Sequence, residues 1–136
     1  MALKIGIVGM GGIGNTHASA YVKDPLAQLY GVCDVNRARA DEAAAKYNVR
    51  AFYSLSEMLD ACPELDIVDV TTSGYENGSL HFEPALQALQ AGKTTIVEKP
   101  LCADIEDARY LVRYAESKGL YLGCNLNHYF TPPAER

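Results

Sequence analysis

Several kinds of protein are excluded by what this sequence lacks. No apolar run reaches the ~18 residues that a membrane-spanning helix requires. Basic residues are few: 12 Lys and Arg stand against 17 Asp and Glu, a formal net charge of −5, and they form no cluster. That balance argues against nucleic acid or an anionic membrane surface as a main partner. From Met1 the chain passes straight into a strand-like segment, without the basic start and long apolar stretch of a secretion signal. The cysteines are Cys33, Cys62, Cys102 and Cys124, and no C-x-x-C pair occurs among them. Reduced thiols in a cytoplasmic protein are expected, with neither disulfides nor a metal site.

What is present is enough for one domain. The 136 residues are 49% hydrophobic, which supports a real core but not two ordinary domains. Short β-branched runs alternate with longer amphipathic ones. Strands are expected at 3–9, 27–34, 50–53, 66–72, 94–98 and 120–125. Helices are expected at 15–23, 37–47, 54–61, 80–91 and 104–118. Asp24-Pro25 stops the first helix, Ser54 and Glu57 form a capping box for the third, and Gly119 closes the last. That last helix places Ile105, Ala108, Leu111, Val112 and Ala115 on one apolar face. Such alternation predicts an α/β fold, a doubly wound parallel sheet of six strands in the order 3-2-1-4-5-6. Ligands of such sheets bind at the carboxyl rim, where the order reverses between strands one and four.

The residues that follow each strand carry the chemistry. After strand one comes Gly9-Met10-Gly11-Gly12-Ile13-Gly14, a G-x-G-x-x-G that opens a helix. Gly9 permits a tight turn, Gly11 lets the backbone approach a pyrophosphate, and Gly14 lets the helix pack on the strand. Twenty residues beyond Gly14 stands Asp34, suited to accept both hydroxyls of an adenosine ribose. Asp34 favours NAD over NADP. Arg37 is either a partner for a 2′-phosphate or a solvated residue in the first turn of a helix, and Asn36 lies between the two. Thr71, Thr72 and Ser73 end strand four and either pass under a dinucleotide or cap the next helix. His81 is a cap or packing residue, or a catalytic one. Glu98-Lys99-Pro100 ends strand five as either an acid–base pair at the rim or a surface ion pair.

Together, Gly9-x-Gly11-x-x-Gly14-x-x-His17, Asp34, the strand-four hydroxyls with His81, and Glu98-Lys99-Pro100 resemble the glucose-fructose oxidoreductase, inositol dehydrogenase and rhizopine catabolism family. Ala91–Leu101 is similar to its Glu-Lys-Pro signature, and the likeness runs over the whole chain. The resemblance implies a dinucleotide-binding Rossmann domain at residues 1–125. It implies that 126–136 begin a connection to a second domain, which binds substrate and forms an oligomer interface. It also implies NAD or NADP as cofactor, held by Gly9, Met10, Gly11, Gly12, Ile13, Gly14, Asp34, Asn36, Arg37, Thr71, Thr72, Ser73, Glu98 and Lys99. The implied reaction moves a hydride between the nicotinamide and a hydroxyl-bearing carbon of a sugar or polyol. Lys99 would handle the alcohol proton, with His81 a second catalytic candidate. A direct pair with Glu98 would hold Lys99 charged, so the geometry of those two side chains matters. The sequence departs from the family pattern in two places: Thr71-Thr72 replaces a threonine-proline, and the loop before His81 is lengthened. Two other activities share these motifs: an NAD-dependent glycoside hydrolase and a non-catalytic NAD sensor. Lys99 argues against the sensor, which needs no proton-transfer group.

Overall fold

The computed structural model describes residues 1–72 and 79–126. Ser73 and the segment 127–136 lie outside the described residues. The elements alternate along the chain: β1 (Leu3–Val8), α1 (Gly12–Tyr21), β2 (Ala27–Cys33), α2 (Arg37–Tyr47), β3 (Arg50–Phe52), α3 (Leu55–Ala61), β4 (Ile67–Val70), α4 (Phe82–Gln90), β5 (Thr94–Glu98), α5 (Ile105–Ser117) and β6 (Leu122–Asn125). The strands pair in parallel, in the order β3-β2-β1-β4-β5-β6. Each parallel step needs a crossover, and the helices supply it.

The register aligns the carboxyl ends. Val8 faces Cys33 on one side and Val70 on the other, Val70 faces Val97, and Glu98 faces Asn125. Helices cover both faces, so the inner strands are mainly apolar, with Asp69 of β4 and Thr95 of β5 the fully buried polar exceptions among the described residues. On one face Ile7, Leu29 and Val32 pack with Ala18 of α1 and Ala43 of α2. On the other, Val68, Val70 and Val97 meet Met58 of α3, Leu89 of α4 and Leu111 of α5.

Two elements differ from expectation. Helix α1 begins at Gly12, three residues before Asn15. A glycine costs a helix interior up to ~1 kcal/mol relative to alanine, but close packing of the first turn on β1 overrides that preference. In α5, Leu111 and Ala115 are buried while Ile105 and Val112 are 66% and 42% exposed. Val112 lies about 100° around the helix from Leu111. Ile105 is the first residue of the helix. The expected Ser54 cap forms, its Oγ accepting from the Glu57 amide, and Asp104 also caps its helix, accepting from the Glu106 and Asp107 amides. The Glu57 carboxylate reaches one residue further back than a capping box prescribes, to the Tyr53 amide.

Candidate dinucleotide site at the carboxyl rim

The turn from β1 into α1 contains two kinds of glycine. Gly9 has φ +100°, and a Cβ there would lie 2.6 Å from the Thr72 backbone. At Gly14 a Cβ would lie 1.9 Å from the Gly9 carbonyl oxygen. Both therefore serve the fold. A Cβ at Gly11 or Gly12 would meet nothing within 4 Å among the described residues. Open space thus lies over the start of α1. This helix has no side-chain cap and no acidic residue in its first turn. Its first amides and its positive dipole end face that space, the arrangement that suits a diphosphate.

Other side chains hold the turn in shape. Asn15 Nδ2 donates to the carbonyls of Gly11 and Met10 at 2.8 and 3.2 Å, and the Tyr47 hydroxyl donates to Asn15. Neither residue stands out in the sequence, because an Asn inside a helix and a Tyr at the end of another carry no motif. Met10 is not free for a phosphate. Its side chain is buried in the core, and its amide donates to Asp34 Oδ2 at 2.8 Å.

Asp34 thereby ties the ends of β1 and β2. Its Oδ1 accepts from the Asn36 amide at 2.8 Å, and the carboxylate is 8% exposed. Each oxygen keeps a second lone pair as a further acceptor. Asn36 caps α2, its side chain accepting from the Arg39 amide. Arg37 does not face the cleft. Its guanidinium stacks on Tyr53 at 4.2 Å from the ring centroid. Instead Arg39 lines the cleft of about 530 Å³ beside Asp34, together with Gly9, Val35, Thr72 and Leu80. Val35 and Leu80 are 88% and 55% exposed, apolar flanks of the kind an aromatic base occupies. Cys33 also touches this cleft. Burial first, then the Asp34 charge, push its thiol up to about 12, so it stays protonated.

The hydroxyls at the end of β4 are spent on the protein itself. Thr71 Oγ1 donates to the Gly9 carbonyl at 2.7 Å and Thr72 Oγ1 to the Leu80 carbonyl at 2.9 Å. Thr71 therefore shapes the glycine turn, and Thr72 anchors the residues that precede α4. His81 is buried, with Nδ1 2.6 Å from the Pro100 carbonyl and Nε2 3.0 Å from the Thr72 carbonyl. Both ring nitrogens face main-chain acceptors. The residue works as a clasp between the β4 and β5 ends, with no ring nitrogen left for a ligand.

At the end of β5 the two charges separate. Lys99 is exposed at the rim, and the Lys99-Pro100 bond is cis. The Glu98 carboxylate turns inward: Oε1 takes His17 Nε2 at 2.9 Å and Asn125 Nδ2 at 2.6 Å, and Oε2 accepts from the Lys99 amide at 3.2 Å. Among the described residues it forms no ion pair with the Lys99 ammonium. His17 Nδ1 meets Asp69 Oδ2 at 2.7 Å, and the Tyr21 hydroxyl donates to the same oxygen at 2.6 Å. The Asp69 hydrogen bond raises the His17 pKa, burial opposes it, and the Asp69 and Glu98 charges add to the rise. Burial, then the Asp69 carboxylate, push Tyr21 upward, so it acts only as a donor.

Fold and rim define a domain built to bind a dinucleotide. The family model described as an oxidoreductase family with an NAD-binding Rossmann fold matches residues 3–126, and the chain belongs to that family. It is 38% identical over 120 residues to a UDP-N-acetylglucosamine 3-dehydrogenase of Acidithiobacillus ferrooxidans, a match covering 88% of this chain and 36% of that protein. It is 36% identical over 116 residues to an inositol 2-dehydrogenase of Agrobacterium fabrum, covering 82% and 33%. The crystal structure of GenD2 from gentamicin A biosynthesis, in complex with NAD, superposes with a TM-score of 0.89 at 30% identity over 96% of this chain and 36% of that one. The chain thus spans about a third of the length of these relatives.

Proposed function

We propose that this chain is the cofactor half of a dehydrogenase that moves a hydride between NAD and a hydroxyl-bearing carbon of a sugar or polyol. The observation that carries this reading is the pairing of an open cradle at Gly11 and Gly12 with an exposed Lys99 whose acidic neighbour is engaged elsewhere. A diphosphate would sit on the first amides of α1, and Asp34 would take the adenosine ribose hydroxyls. The base would lie between Val35 and Leu80. Asp34 repels a 2′-phosphate, so NAD is preferred; Arg39, which lines the same cleft, is the group that would accommodate NADP.

The nicotinamide, when bound, supplies the hydride acceptor. Lys99 would then hold the reacting hydroxyl and receive its proton. Glu98 supports this because its carboxylate is committed to His17 and Asn125 instead of pairing with Lys99 and holding it as an ammonium, which could not accept a proton. His81 keeps the Pro100 carbonyl and the β4 end in register and so positions Lys99 without touching substrate. Substrate contacts and an oligomer interface would come from a second domain. A cytoplasmic setting fits the four free cysteines. The relatives' activities, on UDP-N-acetylglucosamine and on inositol, support a sugar or polyol over the hydrolase or sensor readings.

The test is Lys99→Ala in the full-length protein, assayed against a panel of sugars and polyols with NAD. Loss of one proton-transfer group should lower kcat by at least ~100-fold while NADH affinity stays within about threefold. Undiminished turnover in that variant would remove Lys99 from the chemistry.

A further inference from the structure

We propose that His17 is a positioning residue: it fastens the helix that carries the diphosphate cradle to the strand end that presents Lys99, and so sets the register between the two ends of the dinucleotide site. This rests on the NAD-binding reading above and goes beyond it by assigning a role to a side chain that touches neither phosphate nor substrate.

The geometry is specific. His17 stands three residues beyond Gly14, on the face of α1 turned toward β4 and β5. Its two nitrogens lie 2.7 Å from Asp69 Oδ2 and 2.9 Å from Glu98 Oε1. Asp69 belongs to β4, Glu98 ends β5, and Asn125 of β6 joins through Glu98. One imidazole therefore links a helix to three parallel strands. Both nitrogens face carboxylate oxygens, so both donate, and the ring carries the positive charge that two neighbouring carboxylates require.

Stability alone explains this cluster poorly. Asp69 is fully buried, and its Oδ1 has no hydrogen-bond partner among the described residues. Its charge rests on two donors to a single oxygen, His17 and Tyr21. Buried ion pairs of this kind are often no more stabilising than apolar residues of the same volume. What they provide that apolar contacts do not is direction. Here the directed bonds hold the Glu98 carboxylate beneath Lys99, with Oε2 still gripping the Lys99 amide. Removing the imidazole releases Glu98 to turn toward the Lys99 ammonium. It also lets β5 shift relative to α1.

A merely structural histidine would weaken every nucleotide alike. A register residue should discriminate, because ADP occupies only the adenosine and diphosphate end. The experiment titrates the full 136-residue chain with NADH and with ADP by calorimetry, for wild type and His17→Gln. The expected result is a loss of NADH affinity of about tenfold with ADP affinity changed less than about twofold, a size typical of coupling between contacting groups. Equal losses for the two ligands, or no loss for either, would overturn the assignment while leaving NAD binding in place. If His17→Gln does not fold, Asn125→Ala removes the outer donor to Glu98 from a half-buried edge position. It should show the same split at about threefold, and a uniform effect there overturns the assignment equally. Absence of NADH binding by the wild-type chain would overturn the functional reading and this proposal with it.

Discussion

Adding a single methyl group at Gly14 should cost more stability than its size suggests. Elsewhere in a helix, glycine to alanine gains up to ~1 kcal/mol. At Gly14 the new Cβ would lie 1.9 Å from the Gly9 carbonyl oxygen and 3.0 Å from Thr71 Oγ1, where ordinary contact begins at 3.4 Å. The obstacle is backbone, held in place by the Thr71 hydroxyl, so no side chain can swing aside. Helix α1 must retreat from β1 by about 1.5 Å, or the Gly9 turn must break. Overpacking of this kind costs ~1–3 kcal/mol, and a main-chain clash belongs at the upper end. A net loss of about 3 kcal/mol lowers the melting temperature of a domain this size by roughly 10 °C. The assay is thermal unfolding followed by circular dichroism, with Gly12→Ala as the matched control. That Cβ meets nothing within 4 Å, so the control should melt at or slightly above wild type. A Gly14→Ala protein melting within 2 °C of wild type, or a control that loses as much, would refute the packing argument.

Further outcomes follow from individual contacts. Thr71→Val keeps the shape of the side chain but leaves the Gly9 carbonyl without its 2.7 Å donor; chemical denaturation should report a loss of ~1–3 kcal/mol. Asp104→Ala removes the N-cap that accepts from the Glu106 and Asp107 amides and should cost ~1 kcal/mol by the same measurement. The His17 pKa is raised on folding, so its protonated form stabilises the fold fully below the unfolded value near ~6.5, and that contribution fades as pH rises through the folded value. The stability gap between wild type and His17→Gln should therefore narrow from pH 6 upward. A gap that widened with pH would mean the imidazole is neutral between its two carboxylates.

Much of this architecture could be read from the chain, because local patterns and global fold agree. Short β-branched runs alternate with amphipathic ones, and only a covered parallel sheet satisfies both, so element order and strand order followed. The glycine turn and Asp34 were visible because the phosphate and ribose chemistry requires those residue types at that spacing. Partners brought together across the sheet were not visible. His17 carries no hint that Asp69 and Glu98 lie against it, since these contacts span 52 and 81 residues of sequence. The threonine hydroxyls after β4 were legible as polar groups but not as donors to Gly9 and Leu80. Arg37 and Arg39 are both basic and both follow Asp34. In the fold Arg37 stacks on Tyr53, and Arg39 lines the cleft. In α5 the helical period was right and the buried arc was misplaced, because neighbours decide which apolar residues a helix covers.

The most direct test of the cradle is the affinity of the Gly11→Val chain for NADH. Gly11 has a negative φ of −81°, so no left-handed conformation demands glycine there, and open space lies where the valine side chain would stand. The variant should fold with a melting temperature within a few degrees of wild type. Its isopropyl group would occupy the space assigned to the diphosphate, and calorimetric affinity should fall by at least ~100-fold, or about 2.7 kcal/mol. A folded Gly11→Val chain that binds NADH as tightly as wild type would show that the diphosphate does not lie over the start of α1.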